Sequence, residues 1–318
     1  MKKHLLNGLL ACALAAHACC AMAAAEEFSF GVISAPFKAA SGEEVLRESI
    51  AETDADNLAF VVANGIKSRS EPCSDSVYNA RRALFDSAKN GLIVSLAASD
   101  WTDCKGANGK SAAIGRLSRL RELFFADEMS MGTSRIPMMR QSTTPKFRSY
   151  AENARWELGK TMFATVNLPA NNNHYLTEAG RNSEFEDRLI ANRAWLHGVF
   201  THARLKKLEA VVLFCDGNPF AKAGGAGGAG ARRDGFAEAR QQITALATKF
   251  PGKVLVVHAP ANARRNTSTG IVWRNNLGVL EAGFPWTRIR VAPSPARFEV
   301  LEKPSSEAKV SPASDTVR

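Results

Sequence analysis

The amino-acid sequence predicts an α/β fold with at least partly parallel strand pairing. Short apolar runs recur along the chain, and amphipathic segments of helical period lie between several of them. The composition agrees, because 45% hydrophobic and 23% charged residues are ordinary for a globular protein with a sizeable core. No repeat of fixed period is visible, so we expect one large domain over residues 26–302.

The apolar runs are short enough to be strands, and polar or glycine-containing turns separate them. The predicted strands are 28–33, 58–62, 92–96, 162–168, 211–214, 254–258 and 288–291. Helices are predicted where apolar side chains recur every three or four residues, as Leu117, Leu120 and Phe124 do. The predicted helices are 43–51, 75–90, 114–126, 184–203 and 236–250.

The first 25 residues are typical of a secretory signal peptide. Lys2 and Lys3 precede an apolar stretch, and small residues at 21–25 offer two A-x-A cleavage sites. We therefore expect an exported protein, periplasmic or secreted. Lipidation at Cys12 is the less favoured alternative, because the apolar run before that cysteine is brief. No later segment is apolar and long enough to predict a membrane span.

Two further segments are predicted to lie outside the core. Residues 221–233 are rich in glycine and alanine and predict a flexible surface loop. No Gly-Lys-Ser/Thr follows them, so they do not predict a phosphate-binding loop. Proline, serine, glutamate and lysine dominate residues 303–318, which predicts a disordered tail.

Three cysteines remain after the predicted signal peptide is removed. Cys73 and Cys104 both lie in polar loops after predicted strands, so we expect them to form a disulfide in an oxidising compartment. Cys215 lies within an apolar run and predicts a buried thiol.

The formal net charge of +10 admits nucleic acid as a partner, but the distribution of the charge does not favour it. Basic pairs such as Arg81 with Arg82 and Arg264 with Arg265 are scattered, and no basic helix carries interleaved aromatic residues. A solvated surface, or attraction to an anionic envelope, is the better interpretation. We expect no nucleic-acid partner.

Several motifs occur in an order that resembles the exported bacterial calcineurin-like metallophosphoesterases. Residues 60–68 read FVVANGIKS, residues 71–75 read EPCSD and residues 100–104 read DWTDC. The family reads roughly FVVHxGDIKSG, xxPCSD and GDNEWTDC over the same stretch. Residues 163–173, 192–196, 211–219 and 254–262 extend the resemblance over nearly all of the chain after the signal peptide.

The resemblance implies an αββα sandwich of two mixed sheets flanked by helices. It also implies two divalent metal ions at the carboxyl ends of central strands, held by Asp, Asn and His, which activate a water for phosphoester hydrolysis. Neither the methyl group of alanine nor the hydrogen of glycine can replace those ligands.

This sequence departs from the family at each expected ligand position. Ala35 follows the first strand in place of Asp, and Phe37 lies where a second ligand is expected. Asn64 and Gly65 stand at the bridging Asp. The remaining departures are Ser99 for Asn, Asp100 for Glu, Asn167 for His, and residues 259–262 for the Gly-Asp-Thr-His turn. We therefore expect no metal site, no catalytic residue and no cofactor.

The polar residues left at these positions predict a cleft that could hydrogen-bond a sugar, a nucleotide or a peptidoglycan fragment without metal. The candidate residues are Asn64, Lys67, Ser99, Asp100, Asn167, Asn171, Asn172, Asn173 and Asn262. The alternative is structural: Trp101, Trp195 and Pro219 would pack, while Lys67, Ser68 and Asp75 would hold loops through hydrogen bonds and helix caps.

The favoured hypothesis is a catalytically inactive phosphoesterase homologue that acts as an exported binding or scaffold protein, with a small molecule, glycan or envelope protein as partner. The alternative is an active hydrolase with two divalent metals and relocated ligands. Asp100, Asp103, Asp216 and His258 are the candidates for that role. A third hypothesis is a purely structural envelope protein that uses its basic surface.

Overall fold

The structure is a computed structural model that describes residues 27–38, 42–177, 182–221, 233–260, 270–283, 285–292 and 295–301. The predicted signal peptide, nearly all of the Gly-rich segment 221–233, Asn262 and the tail 303–318 lie outside the described residues. None of the described helices is long and apolar enough to cross a membrane.

The described chain forms two mixed β-sheets with helices on their outer faces, so the predicted α/β sandwich is confirmed. The five described strands of the first sheet are, in spatial order, β12 (Arg297–Leu301), β11 (Trp286–Ala292), β1 (Phe28–Ile33), β2 (Val61–Asn64) and β3 (Leu92–Ser95). Strands β1, β2 and β3 are parallel, whereas β11 is antiparallel to both of its neighbours.

The second sheet has seven described strands. In spatial order they are β4 (Met139–Arg140), β5 (Ala154–Leu158), β6 (Thr161–Thr165), β7 (Ala210–Cys215), β8 (Lys253–His258), β10 (Leu277–Glu281) and β9 (Val272–Arg274). The central strands β6, β7, β8 and β10 are parallel. Strands β4, β5 and β9 add antiparallel edges.

The described helices form the outer layers. Helices α1 (Gly42–Ala55), α2 (Asp75–Asp86) and α4 (Ala113–Phe124) share a buried apolar cluster with the first sheet. Helices α5 (Ser183–Leu205) and α6 (Ala237–Thr248) share another with the second sheet. The short α3 (Ala98–Trp101) follows β3 and reaches the inter-sheet edge.

Aromatic side chains fill the space between the sheets. Phe30 and Phe60 of the first sheet stack with ring centroids 5.1 Å apart, and Phe60 meets Phe163 of the second sheet at 4.9 Å. All three are fully buried. Each such side chain contributes about 2–3 kcal/mol on removal from water, so this layer fixes how the two sheets stack.

Two predicted boundaries move in ways that affect the candidate site. The strand expected at 58–62 is found at Val61–Asn64, which brings Asn64 into register with Ser95. The helix expected at 75–90 ends at Asp86. The chain turns beyond it, because Asp54 Oδ1 accepts hydrogen bonds from the Lys89 and Asn90 backbone N–H groups.

The expected disulfide is present. Cys73 and Cys104 are bonded and join the loop after β2 to the loop after α3. Cys215 is a buried free thiol, as predicted, and burial raises its pKa.

Candidate functional site

The carboxyl ends of the parallel strands meet at one edge of the sandwich, which we call the strand-end site. It begins with Ser34 after β1, Asn64 at the end of β2 and Ser95 at the end of β3, which are adjacent in the sheet register. All three are at most 1% exposed. Asn64 Nδ2 donates to the Cys215 carbonyl at 2.7 Å and so links the two sheets.

Asp100 is the central polar group on the first-sheet side of this site. Its Oδ1 accepts from the backbone N–H groups of Ile66 at 2.9 Å and Lys67 at 3.1 Å, and its Oδ2 accepts from Ala97 N–H at 2.7 Å. The carboxylate therefore ties the turn after β2 to the turn after β3. Complete burial raises the pKa of Asp100 to about 6, while these N–H groups and the Lys67 ammonium act in the opposite sense.

The side chains of Lys67 and Ser99 donate hydrogen bonds to carbonyl groups of the same loops. Lys67 is 2% exposed, and its Nζ donates to the carbonyls of Ser68 at 2.9 Å and Glu71 at 2.8 Å. Burial lowers the pKa of Lys67, opposed by Asp100 and other nearby carboxylates. Ser99 Oγ donates to the Lys67 carbonyl at 3.0 Å. Both side chains fix the loop conformation.

Asp216 plays the matching part on the second-sheet side. It follows β7, is 1% exposed, and its Oδ2 accepts from the backbone N–H groups of Ala98 at 2.7 Å and Ala170 at 2.8 Å. These N–H groups come from the loops after β3 and β6. One carboxylate oxygen thus holds three chain segments together at the inter-sheet edge.

The other two relocated-ligand candidates, Asp103 and His258, do not form a ligand cluster with Asp100 and Asp216 among the described residues. Asp103 forms a surface ion pair with Arg69 at 2.9 Å. His258 ends β8, and its Nδ1 lies 2.7 Å from the Ala259 carbonyl. Among the described residues, no group of three or more His, Cys, Asp or Glu side chains could hold a metal ion.

Asn167 belongs to a buried carboxamide network. Its backbone N–H donates to Asn153 Oδ1 at 2.9 Å, and its Nδ2 donates to Glu152 Oε1 at 3.0 Å. Its carbonyl accepts from Asn192 Nδ2 at 3.0 Å, which ties the strand end to helix α5. Glu152 is also paired with Arg121 at 2.6 Å, so the carboxylate beside Asn167 is neutralised within the fold.

The asparagine run forms an unusual turn. Asn172, Asn173 and His174 all have left-handed backbone conformations, with φ of 55°, 54° and 53°. Asparagine tolerates this region better than most residues. Asn172 Oδ1 accepts from Gly235 N–H at 2.9 Å, and Asn173 Nδ2 donates to the Gly235 carbonyl at 2.9 Å. The turn therefore positions the segment that leads into α6.

Asn171 and Arg188 complete this turn. Asn171 Nδ2 donates to Thr102 Oγ1 at 2.9 Å. Arg188, which the sequence analysis did not single out, is fully buried and donates to the Asn173 carbonyl at 2.8 Å and to Glu184 at 2.7 Å. The spacing of Glu184 and Arg188, four apart in a predicted helix, is the sequence signal that could have pointed to this pair.

A phenyl ring covers the turn after β2. Gly65 has φ of 132°, and a Cβ there would lie 2.6 Å from Phe37 Cγ. Phe37 is 1% exposed, so its ring sits on the turn where the resemblance places the bridging metal ligand. At the strand ends, four polar atoms are buried without a hydrogen-bond partner among the described residues: Ser34 Oγ, Asn64 Oδ1, Ser95 Oγ and Asn167 Oδ1.

The strand-end residues do not fit two divalent metal ions. The atoms without a hydrogen-bond partner are neutral hydroxyl and carboxamide oxygens. A pair of divalent ions requires several anionic or imidazole ligands instead. The buried carboxylates of Asp100 and Asp216 accept hydrogen bonds from backbone N–H groups. The neutral hydroxyl and carboxamide oxygens are suited to hydrogen bonds with neutral polar partners, which is how buried internal water is bound.

The residues interpreted as structural lie in the core, in loops or, for Asp75, at the exposed start of α2. Trp101 is fully buried, with its ring 4.7 Å from that of His174, and Trp195 Nε1 donates to the Thr165 carbonyl at 3.0 Å. Asp75 forms ion pairs with Arg116 and Arg119.

Comparisons with known proteins do not assign a family. No protein-family model matches the chain, and no curated protein matches it either. The alignment with one solved crystal structure covers 87% of this chain and 99% of the other chain, at 9% sequence identity and a TM-score of 0.42. A likeness of that strength carries no argument about function.

Proposed function

We propose that this protein is a catalytically inactive relative of the calcineurin-like metallophosphoesterases that acts as an exported binding or scaffold protein. The resemblance in residues 60–68, 71–75 and 100–104 supports the family, and the substitutions at the ligand positions support the loss of activity. The partner classes are a small molecule, a glycan or an envelope protein.

The observation that carries this proposal is the use made of the two buried carboxylates at the strand-end site. From the described residues, Asp100 accepts three backbone N–H hydrogen bonds and Asp216 accepts two. A metal ion would have to displace these N–H groups, and each buried N–H left without an acceptor costs about 1–3 kcal/mol. Without metal, neither an activated water nor a charge clamp on phosphate is available at this edge.

The experiment is metal analysis of the processed protein after incubation with manganese, iron or zinc and desalting, combined with hydrolysis of bis(p-nitrophenyl) phosphate. We expect metal well below one equivalent and no hydrolysis that a chelator abolishes. Stoichiometric metal with chelator-sensitive hydrolysis would support the active-hydrolase alternative and contradict the proposal.

Two variants control for hydrolysis by a contaminating phosphatase. Asp216→Asn removes a candidate ligand, and Asp75→Asn removes a carboxylate that lies in a surface ion pair away from the strand ends. Activity of the protein itself would fall with Asp216→Asn and persist with Asp75→Asn. Activity equal in all three preparations would belong to a contaminant, and the proposal would stand.

Export is part of the proposal, and the Cys73–Cys104 disulfide supports it, because such bonds persist in oxidising compartments. Expression of the full chain in a Gram-negative host, followed by fractionation and mass measurement, tests it. We expect a periplasmic or secreted product that has lost residues 1–23 or 1–25. An unprocessed cytosolic product with reduced cysteines would contradict export.

A further inference from the structure

A cavity lies at the opposite end of the second sheet from the strand-end site. It has a volume of 580 Å³ and is lined by Arg204, Lys207, Leu208, Pro251, Lys253 and Ala296, among others. We call it the basal groove, because it lies where strands β7 and β8 begin, at Ala210 and Lys253. Six strand residues separate it from the strand-end site, a distance of about 20 Å.

The floor of the basal groove is apolar. Leu208 and Ala296 are 6% and 4% exposed, and Pro251 borders them. A volume of 580 Å³ falls within the range of about 300–1,000 Å³ typical of small-molecule sites, which are also mostly apolar. The groove can therefore accommodate the apolar body of a small ligand.

Hydrogen bonds hold the walls of the groove in place. Asn276 Nδ2 donates to the carbonyls of Ala247 at 2.8 Å, Phe250 at 3.0 Å and Gly252 at 2.9 Å, so it closes the end of helix α6. Gly252 itself has no room for a side chain, because a Cβ would lie 2.0 Å from the Glu209 carbonyl oxygen. The groove is a pre-formed feature of the fold.

Three cations stand around this apolar floor, with one carboxylate, Glu209, among the lining residues. Arg204 and Lys207 are exposed, and their side chains have no hydrogen-bond or ion-pair partner among the described residues. The Lys253 ammonium lies 5.0 Å from the centre of the Trp273 ring. By contrast, the buried Arg188 and the exposed Arg290 both have carboxylate partners within the fold.

The backbone at Lys207 has a conformation that is unfavourable for a residue with a side chain. Helix α5 ends in a turn in which Leu208 N–H donates to the Ala203 carbonyl at 2.9 Å, and Lys207 occupies the left-handed position with φ of 53°. Glycine is the usual residue there, since a side chain costs about 1 kcal/mol. A strained lysine on the rim of a cavity points to a role for its ammonium group.

We propose that the basal groove binds a small anionic amphiphile, a molecule whose apolar body carries a single carboxylate, phosphate or sulfonate head. The apolar body would rest on Leu208 and Ala296, and the head would meet the cations of Arg204, Lys207 and Lys253. This assignment is independent of the proposed function, because it uses no residue of the strand-end site.

The test is calorimetry of the full processed chain with dodecanoate below its micelle concentration. Dodecyltrimethylammonium, which has the same chain and a cationic head, and butyrate, which has the head without the long chain, are the ligand controls. We expect one dodecanoate bound per chain and no measurable binding of either control. Equal binding of the cationic analogue, or no binding of dodecanoate, would overturn the proposal.

Variants assign the binding to the groove. Lys207→Gly removes a rim cation while suiting the left-handed backbone, so the chain should fold. Lys206→Gln removes the neighbouring charge, which does not line the groove and lies 3.8 Å from Glu157. With Arg204→Gln added to Lys207→Gly, we expect dodecanoate binding about tenfold weaker, corresponding to two lost charge contacts.

The control Lys206→Gln should change dodecanoate affinity less than twofold, given the small value of an exposed pair. If Lys206→Gln lost as much dodecanoate affinity as the Arg204→Gln/Lys207→Gly double variant, the loss would reflect net charge alone. That result would overturn the assignment of binding to the basal groove. Ala296→Phe fills the floor and should block binding in a protein whose circular dichroism is unchanged. A glutamate-rich hexapeptide that bound while dodecanoate did not would favour a peptide groove and contradict the amphiphile.

Discussion

The strand-end site and the basal groove use their charged groups in opposite ways. At the strand-end site, Asp100 and Asp216 are buried and hydrogen-bonded to backbone N–H groups. At the basal groove, Arg204 and Lys207 are exposed, and their side chains have no partner in the described part of the chain. The comparison teaches that the strand-end site uses its charges to hold the fold together, whereas the basal groove presents Arg204 and Lys207 without a partner among the described residues.

The contrast has a simple electrostatic basis. A carboxylate out of water must find donors, and the turns after β2, β3 and β6 supply N–H groups to Asp100 and Asp216. An exposed ammonium needs no protein partner, because water solvates it, and it stays available to an incoming anion. The buried carboxylates therefore stabilise the fold, whereas the exposed cations of the basal groove stay available to bind an anion.

The largest effect we expect in testing this contrast comes from Asp216→Ala. It leaves the buried Ala98 N–H group without its acceptor, whereas the partly buried Ala170 N–H group is open to water, so the free energy of unfolding should fall by about 3–4 kcal/mol, from about 1–3 kcal/mol for the Ala98 group and the rest from the cavity left behind. Urea denaturation measures it. Asp86→Asn, an exposed carboxylate at the end of α2, is the control and should change stability by less than about 0.5 kcal/mol.

A loss below about 1 kcal/mol in Asp216→Ala would mean that its hydrogen bonds do not hold the edge together. The strand-end site would then be free to serve a ligand, and the contrast with the basal groove would disappear. Asp216→Asn retains one acceptor oxygen and should fall between the wild type and Asp216→Ala.

The next effect is a pH dependence at Asp100. Its pKa is raised from the ordinary value of 3.8 to about 6 in the folded state, so between these values the folded chain binds more protons than the unfolded chain. The contribution of Asp100 to the free energy of unfolding is complete below a pH of about 4 and is lost as the pH rises through about 6. The total change is about 3 kcal/mol.

Urea unfolding of the wild type and Asp100→Asn from pH 4 to pH 7 isolates this contribution, because other titrating groups cancel in the difference. We expect the advantage of the wild type over Asp100→Asn to shrink as pH rises. An advantage that grows with pH would show that the N–H groups and Lys67 outweigh burial and hold the carboxylate ionised. In that case the site would carry a stable negative charge.

The third effect tests the ring that covers the turn after β2. Gly65→Ala places a Cβ against Phe37 on a backbone that favours glycine, and should cost about 2 kcal/mol. Gly115→Ala is the matched control: no atom lies within 4 Å of its added Cβ, and it lies in helix α4, where alanine should stabilise by up to about 1 kcal/mol.

Combining Gly65→Ala with Phe37→Ala completes a double-mutant cycle. If the ring lies on the turn, the double variant should lose less stability than the two single losses together, because the clash is removed. Strict additivity would place the ring elsewhere and leave the turn open to solvent.

Much of the fold was predictable from sequence because its central strands are continuously apolar. All seven predicted strands are present, with moved boundaries in all but the first, and the five predicted helices are present too. The described strands that were missed are half-buried or exposed: β10 alternates between buried and partly buried residues, and Val272–Arg274 is exposed throughout. A search for continuous apolar runs does not find such strands.

The candidate site was only partly predictable. The positions of Asn64 and Asn167 at or just after strand ends follow from the motifs, and the structure brings their strands to one edge. The hydrogen bonds of Asp216 to Ala98 and Ala170 join residues more than 40 positions apart. Local patterns contain no information on such pairs, so the engagement of this carboxylate required the structure.

The smallest effect is a gain in stability at the basal groove. Lys207 lies in the left-handed position that ends α5, and Lys207→Gly relieves that strain, so the free energy of unfolding should rise by about 0.5–1 kcal/mol. Thermal unfolding measures the gain, with Lys206→Gly, at a right-handed position with φ of −78°, as a control that should lose stability. A lysine that lowers stability while its removal also weakens dodecanoate binding is retained for recognition. If Lys207→Gly were no more stable than the wild type, the backbone at Lys207 would not be strained, and the left-handed turn would give no support to anion binding at the basal groove.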